Sequence, residues 1–325
     1  MIYTENAINI LTAKTYKGIG RAWLIKNLKG DESADTIVSL LNKNSKQDAP
    51  ITMSEFERIK AKLQDNLKKL DGFADGLVAM GDENFPQYRG NVKSSEQPVY
   101  LFYCGNLSLL KTTNRNISVI GLLNPDKDIE FVEREVVEEL IKNNITIISG
   151  LALGCDSIAH EQTLSANGKT IAILPSPLNN IMPTANKYLA SEIVQKNGLL
   201  ITEYYEDVKS KMELSGRYQE RDRLQALFSD SIILSASYAK NTQGNDSGSR
   251  LAMEYALNYS IPRAVIYNQE TDLDNPMFDL SRQLIREQKD IVIISRKNLQ
   301  ESVRTIISRK ATIKSNIAYQ TSLFD

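Results

Sequence analysis

The stretch Ser149-Gly150-Leu151-Ala152-Leu153-Gly154-Cys155-Asp156-Ser157-Ile158-Ala159-His160 carries residue types suited to holding an anion. It follows the apolar run Ile145-Thr146-Ile147-Ile148, which reads as a buried strand, and leads into a helical pattern. Glycines at such a crossing let the backbone turn tightly or meet a ligand closely. Asp156 suits the N-cap of the helix, and the unsatisfied N–H groups of a helix start form a seat for phosphate. The chemistry expected is binding of a nucleotide phosphate or a nucleic-acid backbone through Ser149, Gly150, Gly154 and Asp156. A glycine turn that only packs helix on strand is the other reading. The spacing is not the G-x-G-x-x-G of dinucleotide folds.

Covalent chemistry lacks its parts. His160 is the only histidine, and no serine, cysteine or aspartate is spaced with it as a hydrolytic triad; it reads as a structural donor. Cys155 has no evident base and reads as a small packing residue. No catalytic residue, metal or cofactor is expected. Three other segments carry candidates. Lys17-Gly18-Ile19-Gly20-Arg21 fits a helix–hairpin–helix turn whose N–H groups face a DNA phosphate beside two cations, or a plain helical hairpin. Arg221 and Arg223 sit where a helix over 220–228 is expected to start; one can meet a phosphate while the other pairs with an acid such as Glu203. Ser247, Gly248, Ser249 and Arg250 lie in a polar loop leading into a helix, a further phosphate seat or an ordinary capped loop.

These residues need a scaffold. Candidate strands at 117–120, 145–148, 170–174, 199–202, 231–234, 264–267 and 291–294 alternate with helical patterns at 129–143, 157–167, 186–197, 220–228, 249–259 and 278–288. Several strands are continuous β-branched runs, as expected when both faces are buried. The alternation predicts an α/β fold with a mainly parallel sheet and helices on both faces. Ligands then sit at the carboxyl ends of the strands. The first seventy residues read as helices, giving a small all-helical domain over 1–72, a sheet domain over 73–298 and a short basic segment with a tail over 299–325.

The chain has 325 residues, with 39 Lys and Arg against 40 Asp and Glu. Near-neutral charge does not favour a general polyanion binder, but local basic stripes suffice for phosphate. One such stripe is Lys14, Lys17, Arg21, Lys26 and Lys29. Two lone cysteines, Cys104 and Cys155, point to a reducing compartment without zinc or disulfides. No stretch is apolar enough to span a membrane, and the first residues do not resemble a signal peptide. A cytoplasmic location without membrane contact is expected.

The ordered motifs resemble the DprA/Smf DNA-processing family. Ser149-Gly150-Leu151-Ala152-x-Gly154-x-Asp156-x-x-Ala159-His160 is similar to its core signature. Asp82-Glu83-Asn84-Phe85-Pro86, Val99-Tyr100-Leu101-Phe102-Tyr103-Cys104-Gly105-Asn106, Leu200-Ile201-Thr202-Glu203-Tyr204, Arg221-x-Arg223 and Ser247-Gly248-Ser249 resemble further segments in the same order. The resemblance implies an extended Rossmann-like domain, a homodimer, single-stranded DNA binding and delivery of that DNA to a RecA-type recombinase, with no enzymatic step. It also favours Arg221 and Gly121 as contacts. Three positions depart from the family pattern. Gly121-Leu122-Leu123 stands for Gly-Ser-Arg, Ala152-Leu153-Gly154 for Ala-Arg-Gly, and Asp222 for an asparagine between two arginines. Such departures fit a weakened phosphate grip or a branch such as phage defence. The family's winged-helix domain is expected to be missing or cut down.

Gln320-Thr321-Ser322-Leu323-Phe324 resembles the bacterial sliding-clamp-binding peptide, with Leu323 and Phe324 as apolar anchors and Gln320 as the orienting group. Two other functions remain open on the sequence. One is a nucleotide-binding sensor or nucleotide-processing enzyme using Asp156, Glu203 or Glu254; the other is a scaffold joining a clamp or recombinase to another factor. DNA binding, if present, is expected to weaken steeply with salt.

Overall fold

A computed structural model describes residues 1–44, 49–240, 248–288 and 290–309. Among them, ten strands form one sheet: β1 Ile2–Tyr3, β2 Gly76–Ala79, β3 Tyr100–Gly105, β4 Asn116–Ile120, β5 Thr146–Ser149, β6 Thr170–Ile173, β7 Leu199–Thr202, β8 Ser231–Leu234, β9 Arg263–Ile266 and β10 Val292–Ile294. The helices are α1 Glu5–Lys14, α2 Arg21–Asn27, α3 Ala34–Asn44, α4 Met53–Leu67, α5 Lys127–Lys142, α6 Cys155–Ser165, α7 Lys187–Gln195, α8 Lys211–Leu227, α9 Gly248–Asn258, α10 Asp279–Glu287 and α11 Leu299–Ser308.

The strand order is β1-β2-β3-β7-β6-β5-β4-β8-β9-β10. From β7 to β10 every pairing is parallel, while β3 runs antiparallel to both β2 and β7. This is a mixed, mainly parallel Rossmann-like sheet. After β4 the chain moves outward through β5, β6 and β7, then returns to place β8 on the other side of β4. The β4–β8 seam is therefore the switch point, and ligands of such sheets bind at its carboxyl end.

Alternation along the strands fills both faces. Ile171 and Ile173 of β6, Leu199 and Ile201 of β7, and Ile232 and Leu234 of β8 join one core with residues of α8, α9 and α10. Ile117, Val119 and Ile233 face the opposite side, where α5 and α11 pack. Ala172, Leu200 and Phe102 lie on that side too, against α7 and the N-terminal helices. Burial of both faces explains why these strands are short apolar runs rather than polar alternations.

Caps fix several helix starts. Thr4, Thr52, Asp126 and Ser210 each accept a backbone N–H from the first turn of the helix they precede. The Ser210 cap corrects one expectation. Arg221 and Arg223 do not start a helix but lie in the last turns of the 17-residue α8. Its polar first half has little apolar periodicity, so the pattern showed only the end. A second correction concerns 299–325. Val303 and Ile306 of α11 are buried in the core shared with α5 and β10, so α11 packs with the sheet; β1, within 1–72, is itself a strand of that sheet, so the N-terminal segment is not all-helical. The tail residues Gln320, Leu323 and Phe324, like Ser247, lie outside the described residues. No helix among the described residues is long and apolar enough to cross a membrane.

Candidate nucleic-acid interface

Three segments meet at the carboxyl end of the switch point. Gly121-Leu122-Leu123 follows β4, Gly150 to Gly154 follows β5, and α9 begins at Gly248 beyond β8. Gly154 has φ +73°, and a Cβ there would fall 2.3 Å from the Leu122 carbonyl oxygen and 2.4 Å from that of Leu123. Only glycine allows both this conformation and this approach. Cys155 N–H donates to the Leu122 carbonyl at 2.9 Å. A Cβ on Gly121 would fall 2.5 Å from Cys155 Sγ, and Ser249 Oγ donates to the Gly121 carbonyl at 2.9 Å. The first loop is thus clamped between the second loop and α9.

Asp156 is not the N-cap of α6. Gly154 occupies that position, and Asp156 turns back under the loop. Its Oδ2 accepts from Gly150 N–H at 3.1 Å and Ala152 N–H at 3.2 Å, and lies 3.4 Å from Arg221 Nη1. It therefore shapes the loop from below rather than capping a helix start. Ser149 is fully buried, with Oγ donating to the Val119 carbonyl at 2.7 Å. Its side chain is a strand-to-strand tie, which corrects its expected contact with phosphate.

Arg221 is buried directly beneath Gly150, where a Cβ would fall 1.1 Å from its Nη1. Gln225, with its amide turned to match its neighbours, accepts from Gly150 N–H at 2.9 Å and Arg221 Nη1 at 3.1 Å, and donates to Asp222 Oδ1 at 3.2 Å. Burial pushes the Asp222 carboxyl up to about 7 despite the nearby Arg221 charge. Among the described residues its Oδ2 has no hydrogen-bond partner. On the far side of Cys155, burial pushes Glu133 up to about 8. The Cys155 thiol is pushed well up by burial and by Glu133, so a thiolate is disfavoured. His160 Nδ1 is 2.7 Å from Thr170 Oγ1, and burial, with Arg221, pushes its pKa down to about 3. It is a neutral structural group at neutral pH. Asn186 Nδ2 donates to the carbonyls of Leu151 at 2.8 Å and Ala152 at 3.2 Å, holding the start of α7 against the loop.

The other predicted cations fall elsewhere. Arg223 is 1 % exposed and pairs with Glu203, with its Nε 3.3 Å from Glu220 Oε2. Arg21, the first residue of α2, reaches from the N-terminal helices to Glu203 at 3.0 Å and Glu220 at 2.8 Å. Burial alone would raise Glu203, but Arg223 and Arg21 hold its pKa below the usual carboxylate range. Arg223 is thus the arginine of the pair that meets Glu203, as the sequence offered for one of the two, and Arg21 joins the N-terminal helices to the same carboxylates. Gly18, at φ +80°, makes the turn between α1 and α2, and Gly20 precedes α2 as its N-cap without a side-chain bond. Lys17 flanks that turn, away from the loops after β4 and β5 in sequence. Arg250 pairs with Glu254 one turn along α9.

Sequence reasoning missed the roles of Gln225 and Glu133. Glu133 falls on the face of Ile129, Val136, Val137 and Leu140, so helical spacing was the signal that could have placed it in the core, whereas Gln225 stands between Leu224 and Ala226 with no such mark. It also missed what the loops expose. Leu123 is 59 % and Leu153 45 % exposed, so apolar side chains stand at the mouth of the site.

Residues 76–304 match the family model described as DNA recombination-mediator protein A. The chain belongs to that family. Two similar curated relatives are Protein Smf from Synechocystis, 30 % identical over 177 residues, and DNA processing protein DprA from Streptococcus pneumoniae, 30 % identical over 176 residues. The matches cover 54 % and 53 % of this chain but 42 % and 58 % of those proteins. The chain thus spans about half the length of these relatives. Among solved structures, S. pneumoniae DprA aligns with 94 % of this chain and 98 % of its own at TM-score 0.68 and 22 % identity, which establishes the shared fold. DNA processing protein A from Helicobacter pylori, solved to define its single-stranded DNA binding mode, aligns with 70 % of this chain and 98 % of its own at TM-score 0.53 and 27 % identity.

Proposed function

We propose that the chain binds single-stranded DNA in the crevice above the carboxyl ends of β4, β5 and β8, without chemistry on the strand. The observation that carries this reading is the convergence of the Gly121, Gly150–Gly154 and Gly248–Arg250 segments at the switch point of a sheet belonging to a DNA-processing family. The loops are braced from below by Asp156, Arg221 and Gln225, so they form a preset surface rather than one that orders on binding. The titratable groups beneath are buried or paired, which supports a holding rather than a reacting site. Gly121, Gly150, Gly154, Gly248 and Ser249 would meet the ligand through backbone and small groups. Lys17 and Gly18 at the α1–α2 turn form a second, weaker candidate contact.

A strand held this way can be passed to a RecA-type recombinase, which the family's description as a recombination mediator supports. We assign the protein to the cytoplasm on the same reading, acting as a homodimer, with a clamp contact through Gln320, Leu323 and Phe324 as a separate proposal. Fluorescence anisotropy with labelled single- and double-stranded oligonucleotides at low salt tests the core of it. Preferential binding of the single strand is expected. No binding, with a melting-temperature rise on a mononucleotide, would favour the nucleotide-sensor reading instead.

A further inference from the structure

We propose that Asp222 is a proton switch beneath the loops: ionised, its carboxylate weakens their grip on an anionic strand, and binding of the strand draws a proton onto it. This rests on the single-strand reading above and adds the regulation of that site by pH.

Asp222, in α8, is 3 % exposed. Its Oδ1 is 3.5 Å from Arg221 Nε and accepts from the Gln225 amide at 3.2 Å. Its Oδ2, unpartnered among the described residues, lies 3.0 Å from where a Cβ on Gly248 would stand. Gly248 is the first residue of α9, and Ser249 after it ties α9 to the Gly121 carbonyl. The unpartnered oxygen is therefore set against a helix start that walls the crevice, where N–H groups favour an anion.

The charge balance gives the switch its sign. Arg221 is one guanidinium for two carboxyl groups, with Asp156 Oδ2 3.4 Å from its Nη1 and Asp222 Oδ1 3.5 Å from its Nε. With Asp222 protonated, the Arg221–Asp156 pair leaves the space beneath Gly150 neutral. With Asp222 ionised, one buried negative charge is left over. Burial raises the Asp222 carboxyl to about 7 against the pull of Arg221, and Asp156 adds to the rise, so both forms are populated near neutral pH. An anion on the loops favours the neutral form, and by reciprocity the neutral form favours the anion. At an effective dielectric of about 20, one charge about 10 Å from a phosphate changes binding by roughly a decade.

The groups around Asp222 come from three helices. From α6 it meets Asp156 and, beyond Arg221, His160, which a pKa of about 3 keeps neutral. From α9 it meets Tyr255, whose hydroxyl is pushed up by burial, beside the Arg250–Glu254 pair. On α8 itself stand Arg221, with Tyr218 against it, and Arg223, which is paired with Glu203. His160 is the only histidine of the chain, so the usual source of pH-dependent binding near neutrality is missing. Glu133, raised to about 8 on the far side of Cys155, is the carboxyl to be separated from Asp222.

The test is anisotropy of the full chain with an oligothymidylate at fixed low salt from pH 6 to pH 8. Wild-type affinity should fall about tenfold across that range, because a carboxyl at about 7 goes from about nine-tenths to about one-tenth protonated. Asp222→Asn keeps the oxygen that Gln225 uses, and should bind equally at both ends, about as tightly as wild type at pH 6. Glu133→Gln should retain the tenfold fall. Calorimetry of the wild type in buffers of different ionisation enthalpy needs no variant. About half a proton should be taken up per bound strand at pH 7, and more at pH 8. Binding that stays level from pH 6 to pH 8 without proton uptake would overturn the switch and leave single-strand binding standing. A fall that persists in Asp222→Asn would belong to another group and would overturn it as well. No binding at any pH would overturn both.

Discussion

Replacing Gly150 with alanine tests the brace beneath the loop, because it adds one carbon where the structure has no space. The new Cβ would lie 1.1 Å from Arg221 Nη1, 2.2 Å from Cζ and 2.7 Å from Asp156 Oδ2. Gly150 does not have the positive φ of Gly154, so the penalty comes from the clash and not from the backbone. A long side chain at a surface would swing aside. Arg221 is buried between Asp156, Asp222 and Gln225, and leaving that position strands buried carboxylate charge. Breaking a buried pair from one side costs about 3–5 kcal/mol, against a typical total of about 5–15 kcal/mol. At about 2–4 °C per kcal/mol, the melting temperature should fall by on the order of 10 °C. Thermal and urea unfolding of Gly150→Ala, Arg221→Ala and the double variant would measure this. The alanine acts through Arg221, so the double variant should be little worse than Arg221→Ala alone. A Gly150→Ala change within about 0.5 kcal/mol of wild type, or full additivity, would refute the brace.

Other outcomes follow from the same geometry. Arg223→Ala leaves Glu203 short of its buried partner and should cost about 3–5 kcal/mol, with little dependence on salt; a loss that vanishes at high salt would contradict the burial. Arg21→Ala should cost less, because its side chain is 20 % exposed, but should speed proteolysis where the N-terminal helices meet the sheet. Asp222 and Glu133 have folded pKa values raised to about 7 and about 8. Between their ordinary values near 4 and these raised ones, the folded protein holds protons that the unfolded chain has released. Their contribution to stability is complete below about pH 4 and declines as pH rises through 7 and 8. Asp222→Asn with Glu133→Gln should flatten the melting profile between about pH 4 and pH 9, and a profile as steep as wild type would show that these groups are not the source.

The sheet was legible because its strands are buried on both faces. Runs such as Ile145-Thr146-Ile147-Ile148 can be little else, and the strands from β4 to β10 lie within a residue or two of the expected ranges. β1, with two residues, and β2, with four, were too short to show a period. The antiparallel course of β3 depends on partners distant in sequence. The core motif located the loop after β5, since glycine spacing records a local backbone need. Which cations face solvent was not legible. The sequence offered Glu203 as partner to one of Arg221 and Arg223, but only the fold shows that Arg223 and Arg21 take it and that Asp156 lies against Arg221. The same holds for Leu123 and Leu153, whose exposure follows from loops crossing at Gly154 rather than from local pattern.

Hydrogen exchange with and without a saturating single-stranded oligonucleotide tests the central claim most directly. Protection is expected at residues 121–123 and 150–154 and in the first turn of α9. Protection confined to the turn between α1 and α2, or to the amino ends of the strands, would contradict it.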